Sequence, residues 1–127
     1  MTALPPLAFV YDRHLSGPRA QLAVRARTCA DYADRRGWEV GGWFVDTGDA
    51  ALTLNHRPNF ERLMRALVGV EEGRVRVCLV LDWDRFSSDR AKRDILVRRL
   101  VGLGARVETC FGECVVPGGR AGSVVPR

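Results

Sequence analysis

Long apolar runs are missing from this chain. No stretch approaches the roughly 20 consecutive apolar residues that cross a bilayer, and the opening MTALPPLAFVYDR has neither the basic flank nor the long apolar core of a secretory leader. A soluble, cytoplasmic protein without a membrane partner is expected. Glycine-rich loops of the GxGxxG and GxxxxGKS/T types are also missing, which removes the usual signatures of a nucleotide-binding α/β domain. Cysteine occurs four times, but Cys29 and Cys78 fall inside apolar-periodic segments, no second pair at ligand spacing follows Cys110 and Cys114, and His14 and His56 are isolated. Neither a disulfide framework nor a metal site is expected, and no cofactor. Lysine is the scarcest charge. Of 20 basic residues 19 are arginine, and Lys92 stands alone.

That bias has two readings. The planar guanidinium makes two parallel hydrogen bonds to adjacent phosphate oxygens, so an arginine-rich chain with net charge +5 suits nucleic acid. The abundance of Arg, Ala, Gly and Val is equally what GC-rich codons give without any function. Position has to decide between them.

The 127 residues, 46% hydrophobic and 28% charged, suffice for one domain with a single core. Leu7 to Tyr11 reads as a buried strand that delivers Asp12 and Arg13 to an edge. Leu22, Ala26, Cys29, Ala30 and Ala33 recur at helical spacing up to Gly37. Trp38 to Val45 is aromatic and β-branched around Gly41-Gly42 and predicts a strand, followed by a loop from Asp46 to His56. Pro58 suits a first helical position, and Phe60, Leu63, Met64, Leu67 and Val68 give that helix its apolar face. Val75 to Leu81 is a nearly continuous apolar run, the pattern of a strand buried on both faces. Ser87-Ser88-Asp89 offers a cap for a third helix carrying Ile95, Leu96, Leu100 and Leu103, and Ala105 to Phe111 predicts a last strand.

The order β-α-β-α-β-α-β predicts an α/β fold: an open, mostly parallel sheet of four to five strands flanked by helices in three layers. The domain is expected over residues 1–113. Residues 112–127 hold four glycines, two prolines and no helical period, so a flexible tail is expected from residue 114 onward.

In such folds ligands bind outside the carboxyl ends of the strands. Asp12, Arg13, His14 and Ser16 stand after the first strand, Asp46, Asp49 and Arg57 after the second, and Asp82, Asp84, Arg85, Ser87 and Ser88 after the third. Arginines around a serine are what phosphodiester chemistry needs. A hydroxyl attacks phosphorus, guanidiniums neutralise charge on the equatorial oxygens, and a phosphoserine link conserves the bond energy without ATP or metal. Taken singly, each arginine also fits a surface ion pair, and Ser16, Ser87 and Ser88 also fit helix caps or loop positions.

Over about residues 7–113 the pattern resembles the catalytic domain of serine recombinases of the resolvase/invertase type. The carriers are Tyr11-Asp12-Arg13, the helix running into Gly37-Trp38-Glu39-Val40, Val45-Asp46-Thr47-Gly48, Asn55-His56-Arg57-Pro58-Asn59-Phe60 and Leu81-Asp82-Trp83-Asp84-Arg85-Phe86-Ser87. The resemblance implies that Arg13, Arg57 and Arg85 bind and activate a DNA phosphate, that Asp84 is the acidic residue beside the last of them, and that DNA strands are exchanged through a 5′-phosphoserine. It also implies DNA and a homologous recombinase or a second copy of the chain as partners.

Departures from the family pattern imply impaired or absent cleavage. The nucleophilic serine normally stands two residues after the first arginine, where this chain has Leu15; Ser16 follows one step later, so either the loop is re-registered to bring Ser16 to the site as the catalytic serine or the nucleophile is gone. Arg25 stands for an early helix glutamine, Ala50 for a strand-end serine and Ser88 for a second arginine. Pro117, Gly118-Gly119, Gly122 and Pro126 predict that no long helix forms after the last strand. A second reading is a non-catalytic accessory module that binds nucleic acid or a recombinase through Arg90, Lys92, Arg93, Arg98, Arg99 and Arg106. A third is an unrelated doubly wound nucleotide-binding domain.

Overall fold

The computed structural model describes residues 3–54 and 56–118. Five strands, β1 (Leu7–His14), β2 (Glu39–Thr47), β3 (Arg76–Val80), β4 (Ala105–Thr109) and β5 (Cys114–Val115), form one sheet in the order β2-β1-β3-β4-β5. The first four are mutually parallel and β5 runs antiparallel to β4. Three helices connect them: α1 (Arg19–Arg35), α2 (Pro58–Val68) and α3 (Arg90–Gly102). Short 3-10 turns follow β2 at Gly48–Ala51 and β3 at Trp83–Arg85.

The period-2 alternation of β1 divides the core. Phe9 and Tyr11 face α2 and α3, where Phe60, Leu63, Leu67, Phe86, Leu96 and Leu100 complete the larger cluster. Val10 faces the other way onto Cys29, Tyr32 and Ala33 of α1. Cys78 and Val80 of β3 enter the first cluster and Leu79 the second, so this strand is buried on both faces as its unbroken apolar run predicts. The sheet is thus the middle of three layers. Among the described residues no helix is long and apolar enough to cross a membrane.

One register shift decides which face the end of β2 presents. Ala8 pairs with Val40 but Phe9 pairs with Gly42, leaving Gly41 as a bulge in β2. Val40 therefore packs on the α1 face, whereas Phe44, an even number of residues later, packs on the α2 face. Only glycine fits the bulge, because a Cβ at Gly41 would lie 2.7 Å from Phe9 Cε1. Asp46, in phase with Phe44, is carried to the α2 face with it.

The expected tail needs one correction. Cys114 and Val115 are buried and pair with Glu108 and Val107 of β4, because the Thr109–Gly112 turn folds the chain back onto the sheet edge. Residues 119–127 of that segment lie outside the described residues.

Candidate functional site

From β1 the strand order runs to β2 on one side and to β3 and β4 on the other. The connections reverse between β1 and β3, and the carboxyl ends of these two strands flank the crevice where α/β sheets bind ligands. Arg13 is the next-to-last residue of β1 and Arg85 follows β3, so the two arginines border that crevice. Arg57 arrives from the loop before α2. Pro58 at the first helical position forces the preceding residue to an extended backbone (φ −121°, ψ 91°), and the Arg57 side chain is buried to 2% exposure.

Each guanidinium has a defined set of acceptors. Arg13 Nε donates to the backbone carbonyl of Asp84 at 2.6 Å and Nη1 to that of Ala51 at 3.4 Å. Arg57 Nε donates to the Thr53 carbonyl at 2.6 Å, and its Nη1 reaches Tyr11 Oη at 3.4 Å. Thr53 in turn closes the loop through Oγ1, which donates to the His56 carbonyl and accepts from its N–H. Arg85 Nε donates to Asp82 at 3.2 Å, and its Nη1 to Asp12 at 3.2 Å and to the Arg13 carbonyl at 3.0 Å. Burial, followed by repulsion from Arg57 and Arg85, lowers the Arg13 pKa from its ordinary value. The three cations are therefore electrostatic neighbours. Among the described residues, Arg57 Nη2 is the buried side-chain polar atom with no hydrogen-bond partner.

Asp46 supplies the platform. Its carboxylate accepts from the backbone N–H groups of Asn59 (2.9 Å) and Phe60 (3.0 Å) and from Tyr11 Oη (2.8 Å). Arg57, the N-cap residue of α2, makes no side-chain cap bond, so a residue of β2 caps this helix instead and places its charge at the positive end of the helix dipole. Burial and then the hydrogen bond to Asp46 push the Tyr11 phenol well above its usual range, so it stays a neutral donor. Tyr11 stacks on Phe86 and meets Phe60 edge-on, which fixes its ring under Arg57.

The remaining candidates are arranged differently. Asp84 contributes its backbone carbonyl to Arg13, while its side chain is 60% exposed and lies 3.8 Å from Arg93 of α3. Ser16 and Leu15 are exposed in the segment between β1 and α1. The N-cap of α1 is Pro18, without a side-chain cap bond, so Ser16 does not cap that helix. Ser87 Oγ is buried and accepts from Asp89 N–H, and Asp89 itself caps α3 by accepting from Lys92 N–H. Arg90 is exposed and Arg93 half-buried. Among the described residues, no three metal-ligating side chains converge.

Sequence reasoning missed a polar chain on the α1 face. Asp12 accepts from Arg25 Nε at 2.7 Å as well as from Arg85, and Arg25 Nη2 meets His14 Nδ1 at 3.0 Å. Arginine only donates, so Nδ1 is the acceptor and His14 Nε2–H donates to the Gly17 carbonyl (3.1 Å). The available signal was parity: on an extended strand Asp12 and His14 point opposite to Arg13, toward the helix that carries Arg25.

Three arginines thus lie close together at the strand ends of a mostly parallel α/β sheet, beside its switch point. The chain belongs to the resolvase N-terminal domain family, whose profile ("Resolvase, N terminal domain") matches residues 8–117. Solved structures share the fold. The N-terminal catalytic domain of TP901-1 integrase is 20% identical, over 83% of this chain and 76% of that one, with TM-score 0.63. The C-terminal catalytic domain of ISC1926 TnpA, an IS607-like serine recombinase, is 20% identical over 84% and 68%, with TM-score 0.67. A resolvase family site-specific recombinase from Streptococcus pneumoniae is 18% identical over 83% and 72%, with TM-score 0.65. No curated protein matches the chain. The family match sets aside an unrelated nucleotide-binding domain.

Proposed function

We propose that this chain is a serine-recombinase-type catalytic domain that holds a phosphodiester of DNA on Arg13, Arg57 and Arg85 and is impaired in, or lacks, the cleavage step. The observation that carries the reading is Arg57: a guanidinium 2% exposed, with one nitrogen unpartnered among the described residues, beside a second buried arginine. A buried, incompletely paired cation costs several kcal/mol, a cost that a bound anion offsets. The family's substrate makes that anion a DNA phosphate. Impaired cleavage rests on Leu15 at the nucleophile position, which has no lone pair to attack phosphorus, and on Ser88 in place of a second arginine. A cytoplasmic location and a homologous recombinase or second copy as protein partner follow from the same reading. The exposed Arg90, Lys92 and Arg98 on α3 extend the basic surface beside the rim and also suit a non-catalytic DNA-binding accessory module.

The test is incubation with supercoiled DNA, divided between native retention and denaturing separation. Retention that weakens steeply with salt and leaves no covalent protein–DNA adduct is expected. An adduct lost on Ser16→Ala overturns impaired cleavage, and retention indifferent to salt overturns the phosphate reading.

A further inference from the structure

Asp12 occupies the middle position of Tyr11-Asp12-Arg13 and turns its carboxylate to the side of the sheet opposite Tyr11. That carboxylate, on a residue only 7% exposed, bridges two arginines: Oδ1 accepts from Arg85 Nη1 at 3.2 Å and Oδ2 from Arg25 Nε at 2.7 Å. Arg85 is held further by Asp82 and by the Arg13 carbonyl, so its Nε and Nη1 donate to oxygens of the chain itself. Arg57, by contrast, keeps a nitrogen without a partner among the described residues. Two oxygens of one singly charged anion spanning two guanidiniums is also how a phosphodiester presents its non-bridging oxygens. Arg25 has a second anchor in His14 and stays in place without Asp12. Arg85 also keeps other acceptors, but it is the one of the two that repels Arg13, so it is the arginine whose hold on a phosphate this carboxylate weakens.

We propose that Asp12 is a built-in competitor of phosphate: it holds Arg85 while the site is empty and releases it when a DNA phosphate enters, and the strength of this ion pair sets the affinity of the site. The proposal rests on the phosphate-binding reading above and adds its regulation. It carries a signature that a purely structural carboxylate lacks, since one substitution moves two quantities in opposite directions. Neutralising Asp12 leaves Arg25 and Arg85 without their shared counter-ion and weakens the fold. The same change removes one of the three acceptors that hold Arg85, and the only one of them on Asp12, and so strengthens binding of the ligand.

The experiment measures the anisotropy of a short labelled DNA duplex as a function of salt, together with melting of each protein with and without the duplex. Four full-length proteins are compared: wild type, Asp12→Asn, Asp31→Asn and Arg57→Met. Asp31 is exposed on α1 and matches the change in net charge. Asp12→Asn is expected to bind about tenfold tighter than wild type, with a salt slope steeper by about one unit and a lower melting temperature that the duplex restores. Asp31→Asn is expected to change affinity far less. Binding by Asp12→Asn no tighter than by Asp31→Asn overturns the proposal, and weaker binding assigns Asp12 the opposite role of orienting Arg85 for phosphate. Equal affinity of wild type and Arg57→Met overturns the phosphate reading itself, whatever Asp12→Asn does. If Asp12→Asn does not fold, Asp12→Ser takes its place with the same expected order.

Discussion

Replacing Arg57 by methionine separates what this residue does for the fold from what it does for a ligand. Methionine fills a similar path with apolar atoms and removes the charge. On the debit side the variant loses the 2.6 Å bond to the Thr53 carbonyl and the long 3.4 Å contact with Tyr11. The first is a charge-assisted bond of about 1.5–3 kcal/mol, and the second lies at the limit of hydrogen-bond distance. On the credit side it no longer buries a cation, which costs several kcal/mol, and it relieves the repulsion that lowers the Arg13 pKa. The expected sum is a ligand-free protein as stable as wild type or up to about 2 kcal/mol more stable. Ligand response is expected to fall sharply. A duplex at about 100 times its Kd stabilises wild type by about 2.7 kcal/mol, a rise of roughly 10 °C in a domain of this size, and most of that rise disappears in the variant. Thermal scans of both proteins with and without DNA measure both quantities at once. Destabilisation by about 3–5 kcal/mol with the DNA-induced rise intact would refute the reasoning and make Arg57 a structural cation.

Three further outcomes are expected. Gly41→Val places a side chain where Phe9 Cε1 already lies 2.7 Å from the Cβ position; the bulge is lost or the fold fails, and two-dimensional NMR shows either a changed β2 register with Asp46 detached from α2 or an unfolded chain, whereas an unchanged spectrum contradicts the role given to the bulge. Tyr11→Phe removes the phenol that donates to Asp46, at a cost of about 1–2 kcal/mol. It also changes the alkaline limb: the folded phenol holds its proton above the unfolded value of 10.0, so wild-type stability present below pH 10 is lost as pH rises beyond it, by up to about 1.4 kcal/mol per pH unit, and melting temperatures of the variant fall less steeply there. Cys110 is expected to alkylate first: a hydrogen bond with Cys29, 3.6 Å away, and then the charge of Arg35 lower its pKa, whereas Cys29 is buried and raised by that same bond. Peptide mapping after brief iodoacetamide treatment checks this, and prior labelling of Cys29 or Cys78 contradicts it.

What was legible in the sequence was local. Unbroken apolar residues at Val75–Leu81 identify a strand buried on both faces, helical spacing identifies α1, and Pro58 fixes the start of α2 to the residue. Placing Arg13, Arg57 and Arg85 at one rim needed only the alternation of strands and helices along the chain and the rule that α/β sites lie at carboxyl ends. What was not legible depends on partners distant in the chain. Asp12 and Arg85 are 73 residues apart, and Tyr11 and Asp46 are 35 apart. Asp46 reads as a rim carboxylate until the bulge at Gly41 turns it onto the α2 N-terminus. Asp84 reads as an acidic neighbour of the arginines, yet the atom that touches Arg13 is its backbone oxygen, which sequence does not distinguish. Cys114 and Val115 sit among glycines and prolines, and two residues carry no period. Pairing with β4 and burial make them a strand.

The central claim is that a DNA phosphate seats on the buried arginines and not merely on the basic surface of α3. Titrating 15N-labelled protein with a short duplex and tracking the arginine Nε–H resonances measures where it lands. The Arg13, Arg57 and Arg85 signals are expected to shift together and saturate, and the Arg57 shift to persist at salt concentrations that erase the shifts of Arg90 and Arg98. Shifts confined to Arg90, Arg93 and Arg98, with the Arg13 and Arg57 signals unmoved, would contradict the claim.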